Sequence, residues 1–459
     1  MILKNDGYVS AGGYTIFGQS GKLLVEPNGQ EKYNTAEELL FHFCNKALIS
    51  FGEGLGKESK FNPINHVERT FQKLTKARER NSITKKLELY LDSGGFQCAM
   101  GYLTKNQLKQ FADCYFEFCR DHHDLFDWAF SLDLPPADYL FDGNDEMFEY
   151  NKYAYGRLFG ELDEQTRKKI LFVKHFRTPS QFNVWNRLID DDVIFKGFNS
   201  NYWSIGGIVA SLSGESTIPY VTYSLPFAEI LTWCREHNKK EVALHILGGC
   251  AYRDLFFYAL TKRVVKLKMD MNLEITYDSS GLAKQILLGR FINTIEDDGR
   301  IDKMSFMSNE LDNMWKKGQT VQQHLFSIFE EMFEYTKVKL LLPDKIYGPD
   351  KLDYYAETLL LIYQLYTFKK LKDDFEKFAE TMELEDFENE ERFNQRVIPI
   401  LLKINNHKIS AKFKNKTNNF FISLKYLMEG DRIKNKKYIE YYMSKDEIKF
   451  KNGIKIETF

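Results

Sequence analysis

Three aspartates that directly follow short apolar segments are the residues whose type and spacing point to chemistry. Asp92, Asp133 and Asp278 each end such a segment, and a serine or proline follows within two residues. A single aspartate in this setting normally bonds its own backbone as a turn or helix N-cap residue. Three carboxylates at one site would repel one another, and this repulsion would cost stability unless the site had a function. Paired carboxylates suit reactions at the anomeric carbon of a sugar, where one attacks and the other handles the proton.

The apolar segments between about residues 85 and 290 recur at a spacing typical of βα units. Their ends at 92, 133, 174, 207, 248 and 278 are separated by 41, 41, 33, 41 and 30 residues. Each gap has room for a loop, a helix and a return. Residues 103–119 and 226–236 show a helical period, and residues 47–51 supply a further strand. The spacing predicts an α/β protein, either an eight-stranded (β/α)8 TIM-like barrel with polar groups at its mouth or a doubly wound sheet.

The chain changes character after about residue 300, so we expect a catalytic domain over residues 1–300 and an α-rich C-terminal region over 301–459. Residues 321–332 and 354–371 have helical periodicity, and an acidic run covers 383–391. The last 59 residues carry fourteen Lys+Arg against six Asp+Glu, a balance of +8, with aromatic residues between them. This end suits either the binding of nucleic acid or a solvated charged surface.

Composition excludes several classes of protein. Hydrophobic residues make up 43% and charged residues 28% of the 459 residues, which excludes a disordered or low-complexity chain. A formal net charge of −2 gives no protein-wide basic field. Six cysteines in a chain of this length indicate reduced thiols. With no signal peptide pattern and no apolar stretch of membrane-spanning length, we expect a soluble cytoplasmic protein, in the host cytoplasm if it is viral.

The segment around Asp92 resembles a known family. Leu91-Asp92-Ser93-Gly94-Gly95-Phe96-Gln97 is similar to the signature heptad of the tRNA-guanine transglycosylases. Further segments resemble that family in the same order along the chain: Ser131-Leu132-Asp133-Leu134-Pro135-Pro136, Gly206-Gly207-Ile208, His245-Ile246-Leu247-Gly248 and Thr276-Tyr277-Asp278. The resemblance covers about residues 85–290 and implies a (β/α) barrel.

The resemblance also implies a role for each matching residue. Asp278 would attack C1′ of a guanosine or deoxyguanosine, Asp92 would act as general acid/base, and Asp133 would read the guanine-like edge of the base. The other substrate-binding residues that it implies are Ser93, Gly206, Gly207 and Ile208 for recognition, Phe96 and Leu247 on the two sides of the ring, and Lys174 or His175 where the family has glutamine.

The positions of the cysteines bear on which nucleic acid, DNA or tRNA, is the expected substrate. No cysteine follows Cys250, so the structural zinc site of the tRNA enzymes is absent, and we expect no metal and no cofactor. The chain looks similar to the zinc-less phage relatives that exchange guanine in DNA for a 7-deazaguanine. The expected partners are therefore DNA and a 7-deazaguanine such as 7-cyano-7-deazaguanine. The target base would have to leave the duplex, because C1′ attack and edge reading are impossible in the stack.

Three alternatives remain open at this point. The first is a tRNA-guanine transglycosylase with a divergent RNA-binding region. The second, from another class, is a non-catalytic nucleic-acid-binding partner subunit, against which the presence of both Asp92 and Asp278 argues. A simple glycoside hydrolase is weaker still, since recognition of a guanine edge by Asp133 would have no purpose there.

Overall fold

The structure is a computed structural model of the chain, in which strands and helices alternate from residue 46 to residue 279. It describes residues 8–11, 44–55, 63–79, 87–132, 134, 140–175, 179–198, 201–206, 219–250, 252–279, 290–295, 301–305, 354–404 and 424.

Seven parallel strands form a curled sheet in which neighbours in space are neighbours along the chain. They are β2 (Lys46–Ser50), β3 (Glu88–Asp92), β4 (Trp128–Phe130), β5 (Ile170–His175), β6 (Tyr202–Gly206), β7 (Glu241–Ile246) and β8 (Asn272–Ser279). The short strand β1 (Tyr8–Ala11) pairs in parallel with both β2 and β8 and so closes the sheet on itself. The strand order never reverses, which excludes the doubly wound alternative. All seven segments predicted as strands are confirmed.

Helices follow the strands and cover the outer face of the sheet. They are α1 (Pro63–Glu79), α2 (Leu108–Asp121), α3 (Asn144–Gly160), α4 (Glu164–Arg167), α5 (Pro179–Ile189), α6 (Asp192–Gly197), α7 (Pro219–Glu236) and α8 (Tyr252–Met269). Both stretches with a helical period are confirmed as helices, residues 108–119 within α2 and residues 226–236 within α7, but the two helices begin elsewhere than the periodic stretches do. Helix α2 begins later than residue 103 because Thr104 and Gln107 form a capping box around a preceding turn. Helix α7 begins at Pro219, seven residues before Pro226. Proline is common in the first turn of a helix, but Pro226 lies inside this one.

Strand alternation divides the core into two parts. Side chains inside the curled sheet form one apolar cluster: Leu48, Tyr90, Trp128, Phe130, Leu171, Val173 and Ala243. The alternate positions face the helices and join the larger core between sheet and helices. At the amino end of the interior lie Lys46, fully buried, and Glu88, which accepts a hydrogen bond from the Tyr90 hydroxyl at 3.2 Å. Burial raises the pKa of Glu88, and the charge of Lys46 partly offsets this rise.

The C-terminal helices pack against the outer side of helix α8. The helix α9 (Tyr354–Glu380) is confirmed and extends nine residues beyond the predicted end, and α10 (Leu384–Glu388) and α11 (Glu390–Ile404) follow it. Phe256 of α8 packs on Phe375 of α9 with ring centroids 5.1 Å apart, and Lys262 Nζ donates to Glu376 Oε1 at 2.9 Å. The hairpin of β9 (Arg290–Ile295) and β10 (Ile301–Ser305) lies between β8 and α9 in the chain. The division at residue 300 stays a prediction.

Some expectations from the sequence lie outside the described residues, namely the helix at 321–332 and the basic C-terminal end. All six cysteines lie in the described part, and none of them forms a disulfide. Among the described helices, none is both long enough and apolar enough to cross a bilayer.

Asp386 ties α10 to α11, and we expect its replacement to make the C-terminal helices less stable in a pH-dependent way. Its side chain is 3% exposed and accepts from the Glu383 N–H at 2.9 Å and from Arg396 at 2.5 Å. Burial alone would raise the pKa of Asp386, but these donors and Arg392 outweigh it and hold the pKa below its usual value. Its stabilisation is therefore present above the unfolded pKa of about 3.9 and is lost as the pH falls through the folded pKa.

Urea unfolding of Asp386→Asn against the wild type, from pH 7 to pH 3, measures this contribution. We expect a loss of about 1–3 kcal/mol at pH 7, because hydrogen bonds to a charged group are lost. The gap between the two proteins should narrow below about pH 4. A gap that stays constant over this range would contradict the assignment.

Candidate active site at the carboxyl ends of the strands

The carboxylates of Asp92 and Asp278 lie on the inner face of the sheet at the carboxyl ends of β3 and β8. In the register, Asp278 pairs with Val9, Ala11 pairs with Leu48, and Ser50 pairs with Asp92. Paired residues of parallel strands share a face, as do residues two apart on one strand. Leu48 belongs to the interior cluster, so the whole series faces inward. The fold thus places the two carboxylates that the sequence singles out on one face and at one edge of the sheet.

Asp92 is held by donors from its own turn and from the neighbouring strand. Its Oδ2 accepts from Ser50 Oγ at 2.7 Å and from the Gly94 N–H at 3.2 Å. Ser50 Oγ also lies 3.2 Å from Oε1 of Gln97, the last residue of the helical turn Gly95–Gln97. Gly94 has φ +86°, a left-handed conformation that glycine adopts without strain. This conformation turns the Gly94 N–H back toward the carboxylate.

Asp278 is held from the turn after β7 and from the interior. Its Oδ1 accepts from the Gly248 N–H at 2.9 Å and from His245 Nε2 at 3.2 Å. No other hydrogen bond from the described residues reaches this carboxylate, so Oδ2 is the oxygen without a donor among them. The side chain is 12% exposed, which makes Asp278 a largely buried carboxylate with one edge open at the mouth.

His245 is buried beneath Asp278. Its ring is fully buried, with Nδ1 2.9 Å from Thr276 Oγ1 and its centroid 4.7 Å from that of Phe130 and 6.0 Å from that of Tyr90. Leu247, directly after β7, is half-buried and packs against the interior cluster. The floor of the site therefore consists largely of apolar side chains, beside the polar side chains of His245 and Thr276. Flat apolar surfaces of this kind accept an aromatic ring.

No family model and no curated protein matches the chain.

The remaining predicted site residues are placed as follows. Ser93 and Gly206 are buried at the carboxyl ends of β3 and β6, and their binding roles stay predictions. Asp133, Gly207 and Ile208 lie outside the described residues, and so does the side chain of Phe96. These four roles stay predictions.

Of the two residues proposed to replace the family's glutamine, Lys174 lies against the helices. Its Nζ donates to Asn186 Oδ1 of α5 at 2.7 Å and is 3.7 Å from Glu229 Oε2 of α7, and the side chain is 2% exposed. Lys174 therefore does not take part in the proposed site. His175 is the last residue of β5 and pairs with Gly206, two positions after the interior residue Val173. By strand alternation, position 175 is on the inner face.

Ser50, His245 and Thr276 contact the two carboxylates or their partners and were not predicted from the sequence. Alternation gives a signal for all three, since Ser50 is two residues after Leu48, His245 two after Ala243 and Thr276 two before Asp278. A polar residue at such an inner position of a buried strand is a candidate partner for a carboxylate. The carboxylate that Ser50 contacts is not evident from this signal, because the contact depends on the pairing of β2 with β3.

Within the described residues, no three His, Cys, Asp or Glu side chains are grouped so that they could bind a metal ion.

Proposed function

We propose that the protein is a pentosyltransferase that exchanges guanine in DNA for a 7-deazaguanine base, with Asp278 as nucleophile and Asp92 as general acid/base. In this proposal the fold is a (β/α)8 TIM-like barrel with its active site at the carboxyl mouth. The observation that carries the proposal is the placement of Asp92 and Asp278 on the inner face of the sheet at the ends of β3 and β8. The motif resemblance around both residues supplies the substrate class.

The first half of the reaction makes a covalent intermediate. The Oδ2 lone pair of Asp278 forms a bond to C1′ of the nucleotide as the bond from C1′ to N9 of guanine breaks. The electron pair of that bond goes to the departing base, and Asp92 supplies the proton that neutralises it. The donors on Oδ1 of Asp278, from Gly248 and His245, hold the carboxylate with Oδ2 available. A covalent intermediate divides one difficult displacement into two easier ones.

The second half replaces the base. N9 of the incoming 7-deazaguanine attacks C1′, the ester bond to Oδ2 breaks, and its electron pair returns to the Asp278 carboxylate. The proton of N9 passes to Asp92, which is thereby ready for another cycle. Asp92 must therefore alternate between protonated and ionised forms. Ser50 and the Gly94 N–H stabilise the ionised form of its carboxylate.

The preference for DNA depends on the sequence after the nucleophile. The tRNA enzymes of the resembling family carry a structural zinc site there, and this chain has no cysteine after Cys250. The basic balance of +8 in the last 59 residues supplies a candidate phosphate contact. A target base in duplex DNA would be flipped into the mouth, above the apolar floor of Phe130 and Leu247.

Transfer of a labelled base distinguishes the candidate functions. We incubate the protein with radiolabelled guanine or 7-cyano-7-deazaguanine and with either duplex DNA or tRNA, then digest the polymer to nucleosides and identify the labelled one by mass. We expect label in DNA and a denaturant-stable adduct between protein and DNA. Label in tRNA alone would replace DNA by tRNA as the substrate. Label in neither polymer, with binding retained, would favour the non-catalytic partner subunit.

A further inference from the structure

His245 separates the Asp278 carboxylate from the apolar interior of the sheet. The imidazole is fully buried, whereas the Asp278 side chain is 12% exposed, so the carboxylate faces the mouth and the ring does not. Phe130 and Tyr90 pack against the ring from β4 and β3. Substrate can therefore touch Asp278 but not His245. Any contribution of His245 to the reaction must act through Asp278.

The hydrogen bonds of His245 determine its orientation. An ionised carboxylate only accepts, so Nε2 carries a hydrogen and donates to Asp278 Oδ1 at 3.2 Å. Thr276 Oγ1, 2.9 Å from Nδ1, is a hydroxyl that can donate to a neutral ring or accept from a charged one. Ser204 Oγ donates to the His245 carbonyl at 3.1 Å and fixes the backbone of this residue. Both ring nitrogens are thus paired, and the donor to Oδ1 is fixed in place.

We propose that His245 is a positioning residue for Asp278 that speeds the breakdown of the covalent intermediate, an inference that rests on the proposed function. The reason lies in the charge on Oδ1. In free Asp278 this oxygen shares a full negative charge, and the bonds from His245 and from the Gly248 N–H are charge-assisted. In the ester to C1′ it is a neutral carbonyl oxygen and a weaker acceptor. The two donors therefore stabilise free Asp278 relative to the ester.

The two halves of the reaction respond differently to this stabilisation. With an oxocarbenium-like centre, the transition state of each half retains most of the carboxylate charge. In adduct formation the charge is present before and at the transition state, so the donors change that rate little. In breakdown, the bond from C1′ to Oδ2 breaks and the electron pair returns to the carboxylate, so the donors stabilise the transition state but not the ester. Loss of His245 Nε2–H should therefore make the intermediate accumulate.

A pair of substitutions at His245 separates donor from volume. The side-chain amide of His245→Gln reaches the position of Nε2 and restores the N–H, while His245→Phe keeps a ring of similar shape without a donor. For His245→Phe we expect breakdown about 10- to 100-fold slower, the effect of one hydrogen bond to a charged group, and adduct formation changed by less than about threefold. For His245→Gln we expect both rates within about threefold of wild type. Single-turnover measurements with DNA, with and without incoming base, give the two rates.

Thr276 provides an independent variant that leaves His245 and Asp278 in place. Thr276→Val removes the partner of Nδ1 and disturbs the tautomer that donates to Asp278, whereas Thr276→Ser retains a hydroxyl. We expect Thr276→Val to slow breakdown by a smaller factor in the same direction and Thr276→Ser to behave like wild type. This pair carries the test if His245→Phe does not fold, as judged by its circular dichroism.

The outcomes distinguish this inference from the function beneath it. The positioning role is supported if the wild type forms an adduct, and if this adduct accumulates in His245→Phe but turns over normally in His245→Gln. Suppose instead that the wild type forms the adduct, but that the two variants behave alike or that His245→Phe slows both halves of the reaction equally. Either result overturns the inference and leaves the proposed function standing. Absence of any adduct or exchange in the wild type overturns both.

Discussion

Asp278→Asn is expected to abolish both the covalent adduct and base exchange. The amide cannot form the ester to C1′, so we expect exchange to fall by at least about 10³-fold, as for loss of other catalytic nucleophiles. The substitution preserves the volume of the side chain, and its carbonyl oxygen can still accept from the Gly248 N–H and His245 Nε2 that now reach Oδ1. The fold should therefore survive. Denaturing electrophoresis of protein incubated with labelled DNA detects the adduct, and label transfer measures exchange.

Two further variants make this result specific. Asp92→Asn should slow adduct formation by about 10²- to 10⁴-fold without making the adduct chemically impossible, because it removes proton transfer and leaves the nucleophile. Asp145→Asn, at a side chain 93% exposed on the outer helix α3, should retain wild-type activity. An adduct that persists in Asp278→Asn would contradict the assignment of the nucleophile. If both active-site variants lost the adduct completely, the experiment would not distinguish the role of Asp92 from that of Asp278.

The strands were predictable because each is a short apolar run that ends in a polar turn, and this pattern is local. The run that ends at Asp92 and the run that ends at Asp278 both appear in the structure within two residues of their predicted positions. Parallel strands place their carboxyl ends at one edge, so the position of both aspartates at that edge followed from the pattern. Helix ends were less predictable, since the start of α2 depends on a capping box and α7 continues through Pro226.

The partners of the carboxylates were not predictable because they depend on register between strands. Ser50 reaches Asp92 only because β2 and β3 pair with these two residues side by side. His245 was part of a recognised segment, but its bond to Asp278 depends on β7 and β8 lying adjacent with His245 opposite Thr276. The sequence could not decide between Lys174 and His175 either, because a shift of one residue in the strand register moves a side chain to the other face of the sheet. The contacts of Lys174 with Asn186 and Glu229 separate them.

The turn that carries Asp92 depends on two glycines in contact, and Gly94→Ala is expected to cost both stability and activity. A Cβ at position 94 would lie 2.4 Å from the Gly52 nitrogen and 2.6 Å from its Cα, and the backbone there has φ +86°. Backbone atoms cannot yield as a flexible side chain does, so the turn after β3 must move away from the turn that follows β2. Because the Gly94 N–H donates to Asp92, this movement also displaces the carboxylate.

Gly101→Ala is the matched control for this substitution. Gly101 has φ +85°, almost the same as Gly94, but among the described residues a Cβ there would meet no atom within 4 Å beyond its chain neighbours and its own helical turn. Its replacement should show the cost of the left-handed conformation alone, about 1 kcal/mol, with exchange activity unchanged. Gly94→Ala should lose about 2–4 kcal/mol and about 10²-fold in exchange rate, because the clash adds to that cost and misplaces Asp92. Urea unfolding and label transfer on the two variants measure the difference, and equal effects in both would show that the contact between Gly52 and Gly94 does not position the carboxylate.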